Sequence, residues 1–163
     1  MKTIRDLLKP PSIVGRVDAI VVRGASREVA WYVESTLALE AIGLADDRLG
    51  QRGESELSTR QVTLIQAEHL AVIAQLARVA HIDATGLRRN LVISGINLVA
   101  LKNARVQVGE ALLEIVGPCH PCSRMEDTIG PGGYAAMRGH GGMTARVIEG
   151  GRIVVGDVVR ATP

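Results

Sequence analysis

The sequence predicts an α+β fold that is mainly β: a β-barrel or sandwich with one main helix and short additional helices. Three observations predict it. Short apolar runs recur through the second half of the chain, each punctuated by glycine. One stretch alone carries alanine-rich helical spacing over several turns. The aromatic side chains are Trp31, Tyr32 and Tyr134, with no Phe, so the core must be aliphatic.

Taken in order, residues 1–12 form an N-terminal arm closed by Pro10-Pro11-Ser12, and residues 13–163 form one domain. Residues 13–23 read as a strand, because Val14, Ile20, Val21 and Val22 suit a pleated, half-buried surface. Over residues 27–40, Val29, Trp31 and Val33 alternate with Glu28, Ala30, Tyr32 and Glu34, a second extended region. Residues 43–60 turn polar and read as a long loop. Residues 61–65 are a strand running into the helix at residues 66–79. There Ala67, Ala71, Ala74 and Ala77 favour the helix, while Leu70, Ile73 and Ala77 share one face. Residues 83–86 break it. Strands follow at residues 91–94, 105–108, 111–116, 144–149, 152–155 and 157–160. Two of them share a pattern, Arg105-Val-Gln-Val-Gly109-Glu110 and Arg152-Ile-Val-Val-Gly156-Asp157, which reads as two convergent hairpins turning at glycine.

Composition excludes several classes. Lys plus Arg is 19 and Asp plus Glu 17, a net charge of +2 that names neither nucleic acid nor a membrane surface as partner. Three aromatic residues are too few for a base-stacking platform. No run reaches the roughly 18 apolar residues of a membrane span, and residues 1–10 lack a signal peptide's apolar stretch. Cys119 and Cys122 make no disulfide framework. A cytoplasmic, reducing compartment is the expectation.

The chain has no phosphate-binding P-loop, no Gly-x-Ser-x-Gly elbow and no His-Glu-x-x-His. Two cysteines cannot hold a Cys₄ iron–sulfur cluster. The glycine-rich residues 130–142 read as a turn whose backbone N–H groups could face an anion. Most informative is Gly117-Pro118-Cys119-His120-Pro121-Cys122-Ser123-Arg124, a Cys-x-x-Cys directly after a buried strand. A thiolate there is a soft metal ligand or a nucleophile, favoured by Arg124 or His120. Zinc-finger spacing and a thioredoxin-like βαβ context are both missing. Cys119 therefore reads as an ordinary buried cysteine, and Cys122 stays open between reactive and inert.

The order of Arg88-Arg89-Asn90-Leu91, Val108-Gly109, Pro118-Cys119-His120-Pro121-Cys122, residues 139–142 and Val155-Gly156-Asp157 resembles a MOSC domain, the family named for the C-terminal domain of molybdenum cofactor sulfurases. The resemblance runs over residues 13–160 and implies a β-barrel-rich fold. It also implies that Cys122 is the Pro-Cys thiolate, a molybdenum ligand in amidoxime-reducing relatives and a persulfide carrier in sulfurase-type ones. Arg88 and Asn90 match the Arg-x-Asn pattern that holds the pterin's polar and phosphate groups, and a forked guanidinium suits phosphate. Gly139, Gly141 and Gly142 would add backbone donors. Arg89 reads as solvated. The family's Gly-Asp-x-His keeps its Asp at Asp47 and loses its His. His120, beside the thiolate, has a better claim than His140 to proton transfer. His69 and His81 read as surface or packing residues.

Two functions follow from the resemblance. In one, a molybdenum cofactor on Cys122 reduces N-hydroxylated bases or amidoximes with electrons from a separate reductase, since the chain shows no flavin or iron–sulfur motif and no pyridoxal-phosphate domain. In the other, Cys122 carries sulfur or delivers cofactor to or from a donor protein without turnover. The amidoxime-reducing relatives carry an additional N-terminal domain, and an anionic cofactor is held less well in a pocket open to water.

Overall fold

Val14–Arg23 forms a ten-residue strand, β1, that pairs with three others and closes the main sheet on itself. The structure, a computed structural model, describes residues 1–9, 12–24, 28–48 and 59–162. Pro10-Pro11 and most of the polar loop expected at residues 43–60 lie outside them. Ahead of β1, the short helix α1 (Ile4–Leu7) is capped by Thr3 and buries no residue. After it come β2 (Ala30–Val33), β3 (Ser35–Leu39), β4 (Gly43–Leu44) and β5 (Val62–Gln66). Helices α2 (Ala67–Ala77) and α3 (Ala84–Leu87) precede β6 (Leu91–Ser94). Next are a 3₁₀ turn at Leu98–Leu101, β7 (Arg105–Val108) and β8 (Ala111–Pro118). Helices α4 (Arg124–Ile129) and α5 (Gly133–Met137) then lead into β9 (Met143–Glu149), β10 (Gly151–Val154) and β11 (Val158–Ala161).

The main sheet runs β11-β7-β8-β9-β5-β6-β1 and returns to β11, a closed barrel with β2 as an added edge strand on β1. A second small sheet orders β10-β3-β4. The mainly-β expectation holds, and closure removes the open edges a flat sheet would expose. The pairings are antiparallel except β5 with β6, which α2 and α3 connect as a crossover. One βαβ unit is therefore present, contrary to the sequence reading, but the cysteines lie outside it, after β8.

Strand alternation divides the apolar residues between two cores. Ile20 and Val22 of β1, Leu64 of β5, and Leu91 and Ile93 of β6 point into the barrel with Leu113, Ile115 and Val159. Val21, Ile65 and Val92 point outward and meet Ile73, Leu87, Met125 and Met137 from the helices. Segments buried on both faces read as continuous hydrophobic runs, which is why residues 20–22, 64–65 and 91–93 show no polar alternation. Each such side chain contributes about 1.5–3 kcal/mol by leaving water.

The structure corrects several expectations. Residues 83–86 do not simply end a helix, because Asp83 caps the new helix α3 by accepting from the Thr85 N–H at 2.9 Å. The glycine-rich stretch contains α5 as well as turns. The buried side chain of β2 is Ala30, while Trp31 beside it and Val29 just before the strand are exposed. Only the first of the two matching patterns is a hairpin, with β7 and β8 joined at Gly109-Glu110. At Gly156-Asp157 the chain changes sheets, since β10 pairs with β3 and β11 with β7 and β1.

Candidate functional site

β8 delivers the cysteines to the barrel rim. Cys119 is 4% exposed, and its N–H donates to the Gly142 carbonyl at 2.8 Å, prolonging the β8–β9 pairing by one residue. Three residues on, Cys122 is exposed at the start of α4, where its carbonyl accepts from the Met125 N–H at 3.0 Å. Both thiols are free. The distinction drawn between them from the strand end agrees with this burial.

Arg88 and Arg89 are separated by backbone conformation. Arg88 is the C-cap of α3 at φ 59° and ψ 38°, a left-handed position that turns the chain sharply. The next side chain is thereby sent inward. Arg89 is 6% exposed, so the solvated reading is wrong for it. Its Nε donates to the Gly141 carbonyl at 2.7 Å and Nη1 to Leu87 at 2.9 Å. Nη2 reaches Cys119 at 3.3 Å and His120 at 3.4 Å. A fork of donors met by carbonyls satisfies the buried group. Burial holds the Arg89 guanidinium below its usual range, against the attraction of the Cys119 and Cys122 sulfurs.

Arg88 instead lines a cavity of about 360 Å³ with Arg124, Glu28, Asp127 and Thr128. Burial lowers its pKa first, followed by the charges of Arg23, Arg124 and Arg48, while Cys122 opposes them. Of these cations, Arg23 is neutralised. Asp47, 1% exposed, accepts from its backbone N–H at 2.9 Å, Nε at 3.1 Å and Nη2 at 2.8 Å. That is the place of Asp47 in this chain. Among the described residues, the Arg88 and Arg124 side chains make no hydrogen bond or ion pair.

Asn90 lies inside the protein. Its Oδ1 accepts from the Thr63 N–H and hydroxyl, both at 3.0 Å, and its Nδ2 donates to the Val21 carbonyl at 3.2 Å. It joins β1 to β5 beneath the rim. Gly141 and Gly142 also have internal reasons to be glycine. A Cβ at Gly141 would strike the Cys119 carbonyl, and one at Gly142 the Leu64 carbonyl. Gly139 alone of the three opens onto free space. His120 is exposed and lines a second cavity with Pro121, Tyr134 and Arg138. His140 packs its ring edge-on against His69, with centroids 5.1 Å apart. The structure thus brings Arg88 and Arg124 to one cavity, with Cys122 on the neighbouring groove and near enough to act on the Arg88 charge, while Asn90 is engaged by Thr63 and Val21 and His140 by His69.

Tyr134 and Glu126 were not singled out from the sequence. The Glu126 carboxylate accepts from the N–H groups of Gly132 at 2.7 Å and Tyr134 at 3.0 Å, fastening α5 to α4, and these bonds lower its pKa. An acidic residue six positions before a glycine-led helix start was the available signal. The groove of Cys122 is completed by Pro121, Ser123, Glu126 and Tyr134. Among the described residues, no three His, Cys, Asp or Glu side chains cluster as a self-sufficient metal site, and no helix is long and apolar enough to cross a membrane.

A family model for the MOSC domain matches residues 40–160. No curated protein matches the chain. Among solved structures, the YuaD protein from Bacillus subtilis has a TM-score of 0.78 at 16% identity, covering 91% of this chain and 95% of that one. YiiM from Escherichia coli has a TM-score of 0.65 at 20% identity, covering 91% and 70%. YiiM from Geobacillus stearothermophilus has 0.70 at 16%, covering 91% and 75%. At these identities the likeness concerns the fold.

Proposed function

The chain belongs to the MOSC domain family, and from that premise we propose that it binds a molybdenum cofactor through Cys122 and reduces N-hydroxylated bases or amidoximes. The observation that carries this reading is an exposed thiol near enough to Arg88 to act on its charge, with Arg124 lining the same cavity as Arg88 and neither guanidinium paired among the described residues. The donor set fits the group: a soft sulfur for the metal and forked cations for a phosphate tail. When bound, the cofactor supplies the electron pair that removes the substrate's oxygen.

The chain's own residues supply the rest. Arg88 and Arg124 hold the anionic tail, and Arg89 fixes the thiol's strand end from below. Asn90 positions Arg88 by anchoring the turn that follows α3. Gly141 and Gly142 hold the loop that presents Gly139 and its backbone. Cleaving the N–O bond consumes two electrons and two protons and releases water. His120, exposed next to the thiol's turn, would deliver one of these protons. Electrons come from a separate reductase in the cytoplasm.

Metal analysis of protein made in a host that synthesises the cofactor tests this. Near one molybdenum per chain is expected, with loss in Cys122→Ser and weakened retention in Arg88→Ala. The exposure of Cys122 in an open groove also suits transfer to a partner protein. Metal-free protein bearing a Cys122 persulfide would establish that carrier function instead.

A further inference from the structure

We infer that the cavity bounded by His120, Pro121, Tyr134, Arg138 and Gly139 is a substrate subsite that selects planar molecules carrying a negative charge. The inference rests on the reading of Cys122 as the reactive centre. The cavity encloses about 720 Å³, within the usual range for a small-molecule site. It shares two walls, Pro121 and Tyr134, with the groove of Cys122.

Its chemistry differs from that of the Arg88 cavity. α4 lies between the Arg88 cavity, which Arg124, Asp127 and Thr128 line, and the groove of Cys122 that adjoins the Tyr134 cavity, which Ser123 and Glu126 line. Glu28 and Asp127 offset the cations on the Arg88 side. None of the described residues lining the Tyr134 cavity is acidic, and Glu126 next door has both carboxylate oxygens engaged by backbone N–H groups. Among the described residues, the Arg138 guanidinium makes no ion pair or hydrogen bond. Tyr134 is 41% exposed, and its hydroxyl is likewise without a partner. An exposed ring offers a face to a flat substrate, and a free guanidinium pairs with phosphate or carboxylate. At Gly139 the backbone sits at φ +83° and leaves open the space a side chain would fill.

Binding to the purified full chain, followed by calorimetry, tests the subsite without needing turnover. The probes are adenosine against adenosine 5′-monophosphate, and benzamidoxime against its 4-carboxy derivative; the two pairs separate a phosphate from a carboxylate as the favoured anion. In at least one pair the charged member should bind about tenfold tighter, the worth of one charge-assisted contact. Arg138→Ala should erase that difference, and Tyr134→Leu should weaken both members alike. Equal binding within both pairs overturns the inference. So does a preference removed by Arg88→Ala and not by Arg138→Ala, or Tyr134→Leu binding like wild type. Molybdenum content reports separately on the cofactor reading: wild type without metal but with the Arg138-dependent preference would sink that reading and leave the subsite.

Discussion

The Nε of Arg89 donates to the carbonyl of Gly141 at 2.7 Å, tying the end of α3 to the glycine loop 52 residues later. The remaining guanidinium nitrogens hold Leu87, Cys119 and His120. One buried cation thus gathers three separate segments at the barrel rim, and carbonyl dipoles, not a carboxylate, satisfy it. Its charge stays available to a thiolate formed at Cys122.

Removing that cation leaves several buried carbonyls unmatched. Arg89→Met should cost roughly 3 kcal/mol in chemical denaturation, the range for hydrogen bonds to a charged group. Arg89→Lys should recover only part, because an ammonium cannot reproduce the fork. Unchanged stability in Arg89→Met would contradict the central place given to this residue.

The two thiols should behave differently. Iodoacetamide should modify Cys122 quickly, and Cys119 only as fast as the rim opens locally. Cys119→Ser should cost about 1–2 kcal/mol by burying a hydroxyl among apolar groups, whereas Cys122→Ser should unfold like wild type. Equal rates of alkylation would erase the distinction.

Asp47 carries three hydrogen bonds from Arg23 while 1% exposed. Asp47→Ala should cost about 3 kcal/mol, because it strands a mostly buried guanidinium. Urea denaturation reads this directly, and a loss below about 0.5 kcal/mol would show Arg23 finding water instead.

How legible this was depends on locality. The strands at residues 105–108 and 111–116 were readable because short apolar runs on either side of a glycine turn are local signals. So was the contrast between Cys119 and Cys122, which follows from where a buried strand stops. Arg88 and Arg89 were not separable, since their divergence depends on a left-handed backbone at an arginine, a conformation its side chain does not announce. The sheet change at Gly156 was hidden as well: the same local pattern makes a hairpin at Gly109, and only distant pairing partners distinguish them. Tyr134 gains significance only once α5 is packed on α4.

Stability should depend on pH through His69. Burial, then the nearby charge of His140, hold its pKa below 6.5, while Glu68 opposes the shift. The unfolded chain therefore takes up a proton near 6.5 before the folded one does. Stability is full above that pH and declines as pH falls toward the folded value. His69→Gln should flatten the decline that begins as pH falls through about 6.5. A second decline, from Asp83 and Glu68, whose pKa values are lowered from 3.8 and 4.5, belongs to still lower pH. An unaltered slope in His69→Gln would assign the first decline elsewhere.

The conformation of Arg88 sets stability against binding. Its φ of 59° is left-handed, as is that of Arg78 at 57° at the end of α2. A side chain in that conformation costs about 1 kcal/mol relative to glycine. Arg88→Gly should thus be as stable as wild type or up to about 1 kcal/mol more so, despite losing a partly buried side chain. It should nevertheless bind inorganic phosphate or pyrophosphate about tenfold more weakly if the cavity lined by the lost guanidinium takes the anion as proposed. Arg78→Gly is the control: the same backbone relief, with anion affinity unchanged. If Arg88→Gly weakens folding while leaving anion affinity intact, Arg88 serves the turn and not the cavity.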